Sequence, residues 1–563
     1  MADNKLFDFM NVELPEPKRS NIPWREVNRT TFSPGYANVS FVSEVLPGDR
    51  WSGNLHTIVR SRPTISSIYG SFRESHQAFF VPTRLYSKVM DQLQTFGNSV
   101  EQFNPSVDIP FPCLDWSFRG DEMQSGVIHS FVPPGSLLNQ LHMFPSMFNT
   151  DNAYYIDDEL GVYKGSSFNA IPLLAYYDIL RNYYYNAQEL EMPFVSNEQF
   201  SSRDGVTYNL VSKSSLDKLI SDAYEGVYNQ NSFLAEDLLS IGIPLFSPDL
   251  GYNFSSFSNV ISYVADGELE RFVNHAGLGL RSYDDDYFVT SLNNEYVDDL
   301  NNTARVVVSN GSFSVSQMQR ANRLHKHISR NILCGNDYED YLYVHFNVKL
   351  GREVNKPVFL GSVSNDFYFE DIYSTYPSSG GTDFPSNTLG QRAGILNSKN
   401  SSSGFIDFTA NEYGYIIVIS SLIPKVSYSK GIPKMYLKTS SAHLYAPEFD
   451  AWSFQDVHPL EFNGNIDYNL RDNVVKSQPA WFEHLATYDK HSGLFATDLQ
   501  YNFQILGRDS DNLEDLYSSY VKPWEWNYIF QYQESWFDNF EVQLLFDFNI
   551  YRPISKQILP TIN

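Results

Sequence analysis

Apolar residues gather in several separated runs between polar, turn-forming stretches, and these runs are the expected strands. Residues 37–46, 54–62 and 72–81 are rich in β-branched and aromatic side chains and read as the first three. Two proline turns close this region, Leu46-Pro47-Gly48-Asp49 and Val81-Pro82-Thr83-Arg84. Proline presets φ and Gly48 can take a positive φ at the next position, so the first has a definite turn chemistry. Far along the chain, residues 341–350, 414–423 and 542–550 return to apolar, strand-like runs. Strands from both ends must then pair through long antiparallel connections, as in Greek-key sandwiches and jelly rolls.

Helical spacing interrupts this pattern in the middle. Residues 85–94 suggest a short helix on Leu85, Val89 and Leu93, and 135–144 another. Residues 168–189 predict a strong helix. Asn169 is its N-cap, Pro172 lies in its first turn, and Leu173, Tyr177, Leu180 and Tyr184 fall on one face. Residues 313–335 predict another. Ser314 and Gln317 form a capping box, an apolar stripe runs from Met318 to Ile332, and Gly335 is the stop. Residues 97–166 read as loop-rich, and 376–386 and 397–404 as mobile Ser/Gly-rich loops.

Charge divides the chain further. Residues 1–30 are polar, proline-broken and locally basic, and read as an extended arm. Residues 190–312 carry 18 acidic residues against 6 basic ones and read as a long, exposed insertion. The whole chain of 563 residues has a net charge of −26. A protein gripping a polyanion through its own surface needs a basic excess, so any enclosed nucleic acid requires another source of cations. Phe, Tyr and Trp reach 16% of residues, which suits strands, large interfaces or base and sugar stacking.

Candidate chemistry is sparse. Cys113 and Cys334 are far apart and read as free thiols. No P-loop, GxGxxG, GxSxG or HExxH occurs, and neither a cofactor nor a catalytic constellation is expected. His325 and His327 would point apart on a helix. Asp284, Asp285 and Asp286 are a candidate cation-binding loop without EF-hand spacing, more simply a solvated acidic loop. Lys18, Arg19, Arg25, Arg29, Arg552 and Lys556, near the two ends, are candidates for phosphate contact or for salt bridges between subunits. The start MADNKLFDFM lacks the pattern of a signal peptide, and no apolar run is long enough for a membrane span. A rival reading, an acidic aromatic β-protein that binds or cleaves carbohydrate, would need export and a placed carboxylate pair.

An ordered set of segments carries a resemblance: TTFSPGY (30–36), EVLPGD (44–49), HQAFFVPTRL (76–85), FNAIPLLAYYDILRNYYYNAQ (168–188), SVSQMQRANRLHKHISRNILCGNDYEDYLYVHFNV (314–348), KPVFLGSV (356–363), EYGYIIVI (412–419), YSKGIPKMY (428–436) and RPISKQI (552–558). Together they resemble the major capsid protein of microviruses, single-stranded-DNA phages, in particular the gokushovirus-like and Bacteroidetes-associated branches. The resemblance implies a mainly β, eight-stranded antiparallel jelly roll with large insertions. Residues 31–189 and 313–563 would supply its core, 1–30 an arm, and 190–312 the variable surface. It implies a non-enzymatic virion protein, assembled in the host cytoplasm into a T=1 shell of about sixty copies. Its implied partners are itself, circular single-stranded DNA, a small basic DNA-packing peptide and a host receptor met by the insertion.

Overall fold

The computed structural model describes residues 18–32, 34–92, 112–119, 140–142, 154–157, 162–164, 168–186, 191–194, 209–225, 277–281, 330, 338–350, 354–373, 392–447, 454–465, 476–497, 504–508, 523–531 and 538–555. The protein is mainly β, and its centre is a pair of four-stranded antiparallel sheets. The contributing strands are β1 (Ser20–Phe32), β2 (Asn38–Val45), β3 (Arg50–Ser61), β4 (Ser71–Pro82), β5 (Val358–Tyr368), β6 (Asn397–Thr409), β7 (Gly414–Pro424) and β8 (Phe540–Arg552). One sheet runs β1-β8-β3-β6 and the other β5-β4-β7-β2.

The sequence explains the two sheets directly. In β8, Phe540, Val542, Leu544, Phe546, Phe548 and Ile550 alternate with Glu541, Gln543, Leu545, Asp547 and Asn549, and all six of the first set are buried while none of the second is. They face the core while the intervening side chains face outward. β7 is a β-branched run, GYIIVISSLIP, buried along most of its length because β4 and β2 flank it on either side. Aromatic pairs join the two sheets across the core. Phe41 meets Phe546 at 4.8 Å between ring centroids, Phe72 meets Phe540 at 5.1 Å, and Phe80 meets Phe408 at 4.7 Å. Gly53 on β3 lies against β8 so closely that a Cβ there would collide with the Asp547 carbonyl oxygen and the Phe548 ring.

The first proline turn forms as its sequence requires. Asp49 N–H donates to the Leu46 carbonyl (3.0 Å), Gly48 has φ +82°, and the Asp49 carboxylate accepts from Leu46 N–H. Val81-Pro82 instead ends β4, and a 3-10 turn follows over Thr83–Tyr86. The arm expected over residues 1–30 is, from Ser20 onward, an edge strand paired along its whole length with β8.

Three further expectations need correction. Residues 341–350 are not a strand, because helix Tyr338–Phe346 covers most of them. Tyr338 and Leu342, four residues apart, bury one face against Met90, and that helical spacing prevails over the alternation of YLYVHF. The Ser-rich stretch 397–404 is not a loop but the start of β6, zipped onto β3 with an irregularity between Ser402 and Ile406. The loop-rich region contains strand Cys113–Arg119, which pairs with Val162–Lys164, with Phe168–Asn169 and with Gly277–Arg281 of the acidic insertion. These strands are too short for their alternation to stand out in the sequence.

The helix expected over 168–189 is α1 (Ile171–Ile179), continued by one π-helical turn over Leu180–Tyr184. Its cap lies one residue later than expected, at Ala170, although Asn169 Oδ1 still accepts the Ile171 N–H at 2.9 Å. α1 does not bury a single stripe; Ile171 and Leu173 through Ile179 are all buried, so it is a core helix. The helix expected over 313–335, apart from Arg330, lies outside the described residues, as do Cys334, His325 and His327. Among the described residues no helix is long and apolar enough to cross a membrane.

Candidate functional site

Two of the basic residues near the two ends, Arg19 and Arg552, converge on the β2–β3 turn. Arg552, at the end of β8, donates from Nε to the buried Asp49 carboxylate (2.9 Å) and from Nη2 to the Glu44 carbonyl (2.9 Å). Its guanidinium lies 5.7 Å from the centre of the Trp51 ring, within range of a cation–π attraction. From the other end, Arg19 donates to the Gly48 carbonyl at 3.3 Å and lies over Tyr551. The turn is therefore held by an arginine from each end of the chain, brought side by side where Ser20 of β1 pairs with Arg552 of β8. Arg25 pairs with Asp547 at 2.8 Å and Arg29 donates to Gln543 Oε1 at 3.0 Å, both across the β1–β8 pairing. Lys18 is exposed. Lys556 and Asp284, Asp285 and Asp286 lie outside the described residues.

A second cluster, which the sequence reading missed, lies between the sheets. His76 Nε2 is 2.5 Å from Glu74 Oε1, and its Nδ1 is 2.6 Å from Ser420 Oγ. Ser420 Oγ is 2.7 Å from Ser40 Oγ, and Thr57 donates to Glu74 Oε2 at 3.0 Å. Hydroxyl, imidazole and carboxylate are connected as in a hydrolytic triad. All five side chains are almost wholly shielded from solvent, so no substrate reaches the hydroxyl. The cluster is a polar cross-tie in which Thr57 of one sheet is bonded to Glu74 of the other, and its members satisfy one another inside an apolar core.

A third cluster is centred on Arg84, just after β4. Its buried guanidinium donates to Glu412 in the β6–β7 turn (2.7 Å), to Asp91 (3.3 Å) and to the Val354 carbonyl. Tyr224, at the end of α2 (Lys213–Glu225), donates to the other Asp91 oxygen at 2.9 Å. Arg181 bridges Asp178 of α1 (2.6 Å) and Asp217 of α2 (2.9 Å). Helix α2, inside the acidic insertion, is thereby tied to the sandwich at two points. Burial pushes the Glu412 carboxyl up to about 7 against the opposing pull of Arg84. Asp178 is likewise raised by burial, which outweighs its bonds to Arg181, Tyr86 and Asn182.

One open cleft, of about 940 Å³, lies where the β3–β4 connection, the end of β5 and the stretch after β7 meet. Tyr69, Tyr368 and Phe495 line it with Lys425, Lys490 and His491, and its one carboxylate is Asp489. Glycoside cleavage by the usual route needs a facing pair of carboxylates, which this lining does not supply. Among the described residues no three His, Cys, Asp or Glu side chains group as a metal site.

The geometry is thus that of a braced scaffold: a closed polar cross-tie, arginine-clamped turns and an insertion anchored to the core. Comparison with known families agrees. The family described as "Capsid protein (F protein)" matches residues 164–562, well over half of the chain. None of the curated proteins matches it. The match takes in β5 to β8, and these interleave with the unmatched β1 to β4 in both sheets. A capsid role in the virion follows, and the chain belongs to the phage capsid protein (F protein) family.

Proposed function

We propose that this protein is the subunit of a closed T=1 shell of about sixty copies around circular single-stranded DNA. The observation that carries the reading is the family match across residues 164–562. The two four-stranded antiparallel sheets, β1-β8-β3-β6 and β2-β7-β4-β5, support it, because an eight-stranded jelly roll of the capsid type is built from two such sheets. In that reading the remaining segments are loops inserted between jelly-roll strands.

The net charge of −26 supports a genome neutralised by a separate small basic peptide rather than by this surface. Arg25 keeps two thirds of its side chain exposed while paired with Asp547, which leaves it open to a second contact with DNA or a neighbouring subunit. Residues 190–312, rich in acid and anchored through α2, are the proposed host-facing surface. Asp284, Asp285 and Asp286 within that stretch are its proposed cation site.

Purified protein viewed by negative-stain or cryo-electron microscopy tests the central reading. Closed shells are expected; a stable monomer on gel filtration would refute the reading and favour the carbohydrate-active alternative. Replacing residues 190–312 should alter adsorption to host cells while particles still form. Unchanged adsorption removes the attachment role. Chelator should lower the particle melting temperature if the acidic loop binds cations, and superimposable curves would discard that site.

A further inference from the structure

Between β7 and β8 the chain makes a long excursion whose character differs from the rest. Among the described residues from 425 to 497 only Val457, Pro459 and Asn463 are buried. The short helical segments Lys434–Leu437, Phe482–His484 and Gly493–Ala496 contain no buried residue at all. Yet the backbone is ordered by local pairing. Strand Phe454–Val457 pairs with Lys476–Pro479, and Gly464 N–H donates to the Lys430 carbonyl at 2.8 Å. A folded segment that buries so little of itself has apolar surface to spare, and here that surface is large. Tyr436 is 68% exposed, Phe454 67% and Leu485 77%, with Met435, Leu444 and Tyr445 also open.

Contacts bring several of these together. Tyr445 packs edge-on against Trp481 at 5.3 Å and beside His484, which puts residues 444–445 next to 481–485. Lys438 pairs with Glu483 at 2.8 Å and lies over Trp481, which adds residues 435–438 to the group. Phe454 stands opposite Pro479 in the small ladder.

We infer that this face of the 425–497 excursion is a docking surface for a second copy of this chain, an assignment that rests on the shell reading above. Two observations select that occupant. The first is area. Six large side chains, each with about 100 Å² open, present roughly 600 Å², close to the ~800 Å² per partner of a standard specific interface. The second is charge. Two copies of a −26 chain repel, and the place to bring them together is where the charge cancels. Residues 425–497 hold 7 basic and 8 acidic residues, nearly neutral, whereas the acidic insertion carries much of the excess. Within the patch Lys438 is matched by Glu483 and Lys434 by Glu461, so its lysines bring no unbalanced charge to a contact. A nucleic acid would need a basic excess that this face lacks.

The test compares wild-type protein with Leu485→Asp and Tyr436→Asp. Both positions are exposed, so isolated subunits should keep the wild-type melting temperature. A carboxylate pressed into an apolar contact should raise the concentration needed for assembly at least about tenfold. Oxidative footprinting of wild-type protein gives a second readout independent of the variants: Met435 and Tyr436 should be protected in particles and reactive in dissociated subunits. Shells that form normally from both variants, or Met435 and Tyr436 equally reactive in both states, overturn the inference and leave the shell reading intact. Wild-type protein that never self-associates overturns both. Protection of dissociated subunits by single-stranded DNA alone would reassign the face to nucleic acid and overturn it as well.

Discussion

The sandwich and the 425–497 excursion use the same residue types in opposite ways. In the sandwich, aromatic side chains alternate inward and meet across the two sheets, as Phe41 does with Phe546. In the excursion, residues such as Phe454 and Leu485 point outward from a backbone held by turns and two-strand ladders. Apolar content therefore does not tell core from interface; what differs is whether the fold itself supplies a covering partner. The sandwich buries its aromatic side chains against one another, and the excursion leaves large apolar side chains exposed.

The sharpest break in that comparison comes from truncating matched side chains. Phe546→Ala should cost the subunit about 3–5 kcal/mol, whereas Leu485→Ala should stay within about 0.5 kcal/mol. Chemical denaturation of dissociated subunits measures both, and equal losses would erase the distinction. Next comes the polar cross-tie. Glu74→Ala leaves His76 and Thr57 without their buried partner and should cost about 3–5 kcal/mol, while Glu74→Gln, which keeps a hydrogen-bonding oxygen, should cost less. Gly53→Ala forces β3 away from the β8 backbone and should cost about 1–3 kcal/mol, with hydrogen exchange rising along the β3–β8 pairing.

A further test of the scaffold concerns pH. The Glu412 carboxyl is raised in the folded protein to about 7 from an ordinary value of 4.5, so the folded state holds this proton more tightly than the unfolded chain. Its contribution to stability is fully present below about pH 4.5 and is lost as pH rises through about 7. Glu412→Gln should flatten the stability profile across that window. A mutant profile parallel to wild type would place the titration elsewhere.

Much of the sandwich was legible because its signals are local. The alternation of β8, the β-branched run of β7 and the chemistry of Leu46–Asp49 each lie within a dozen residues. β6 was not legible. Its first half, NSKNSSS, has no apolar side chain to mark it, and its strand character comes from the backbone of β3 beside it. The helix Tyr338–Phe346 was misread because its aromatic residues fit both periods, and only burial against Met90 decides between them. The cross-tie joins His76 to Ser420 across 344 positions, a proximity that no spacing rule reveals. The basic end residues could be found by charge, but the convergence of Arg19 and Arg552 on the β2–β3 turn needed the topology.

The place of β8 between β1 and β3 has a consequence for how each subunit is made. During synthesis β1 leaves the ribosome more than 500 residues before β8, an interval of roughly 25–100 s at ordinary elongation rates. Through that interval neither β1 nor the facing edge of β3 has its neighbour, and Asp49 waits for Arg552. A nascent chain truncated anywhere before residue 540 lacks the central strand of one sheet and cannot close it. Synthesis through β8 is thereby a condition for closing that sheet.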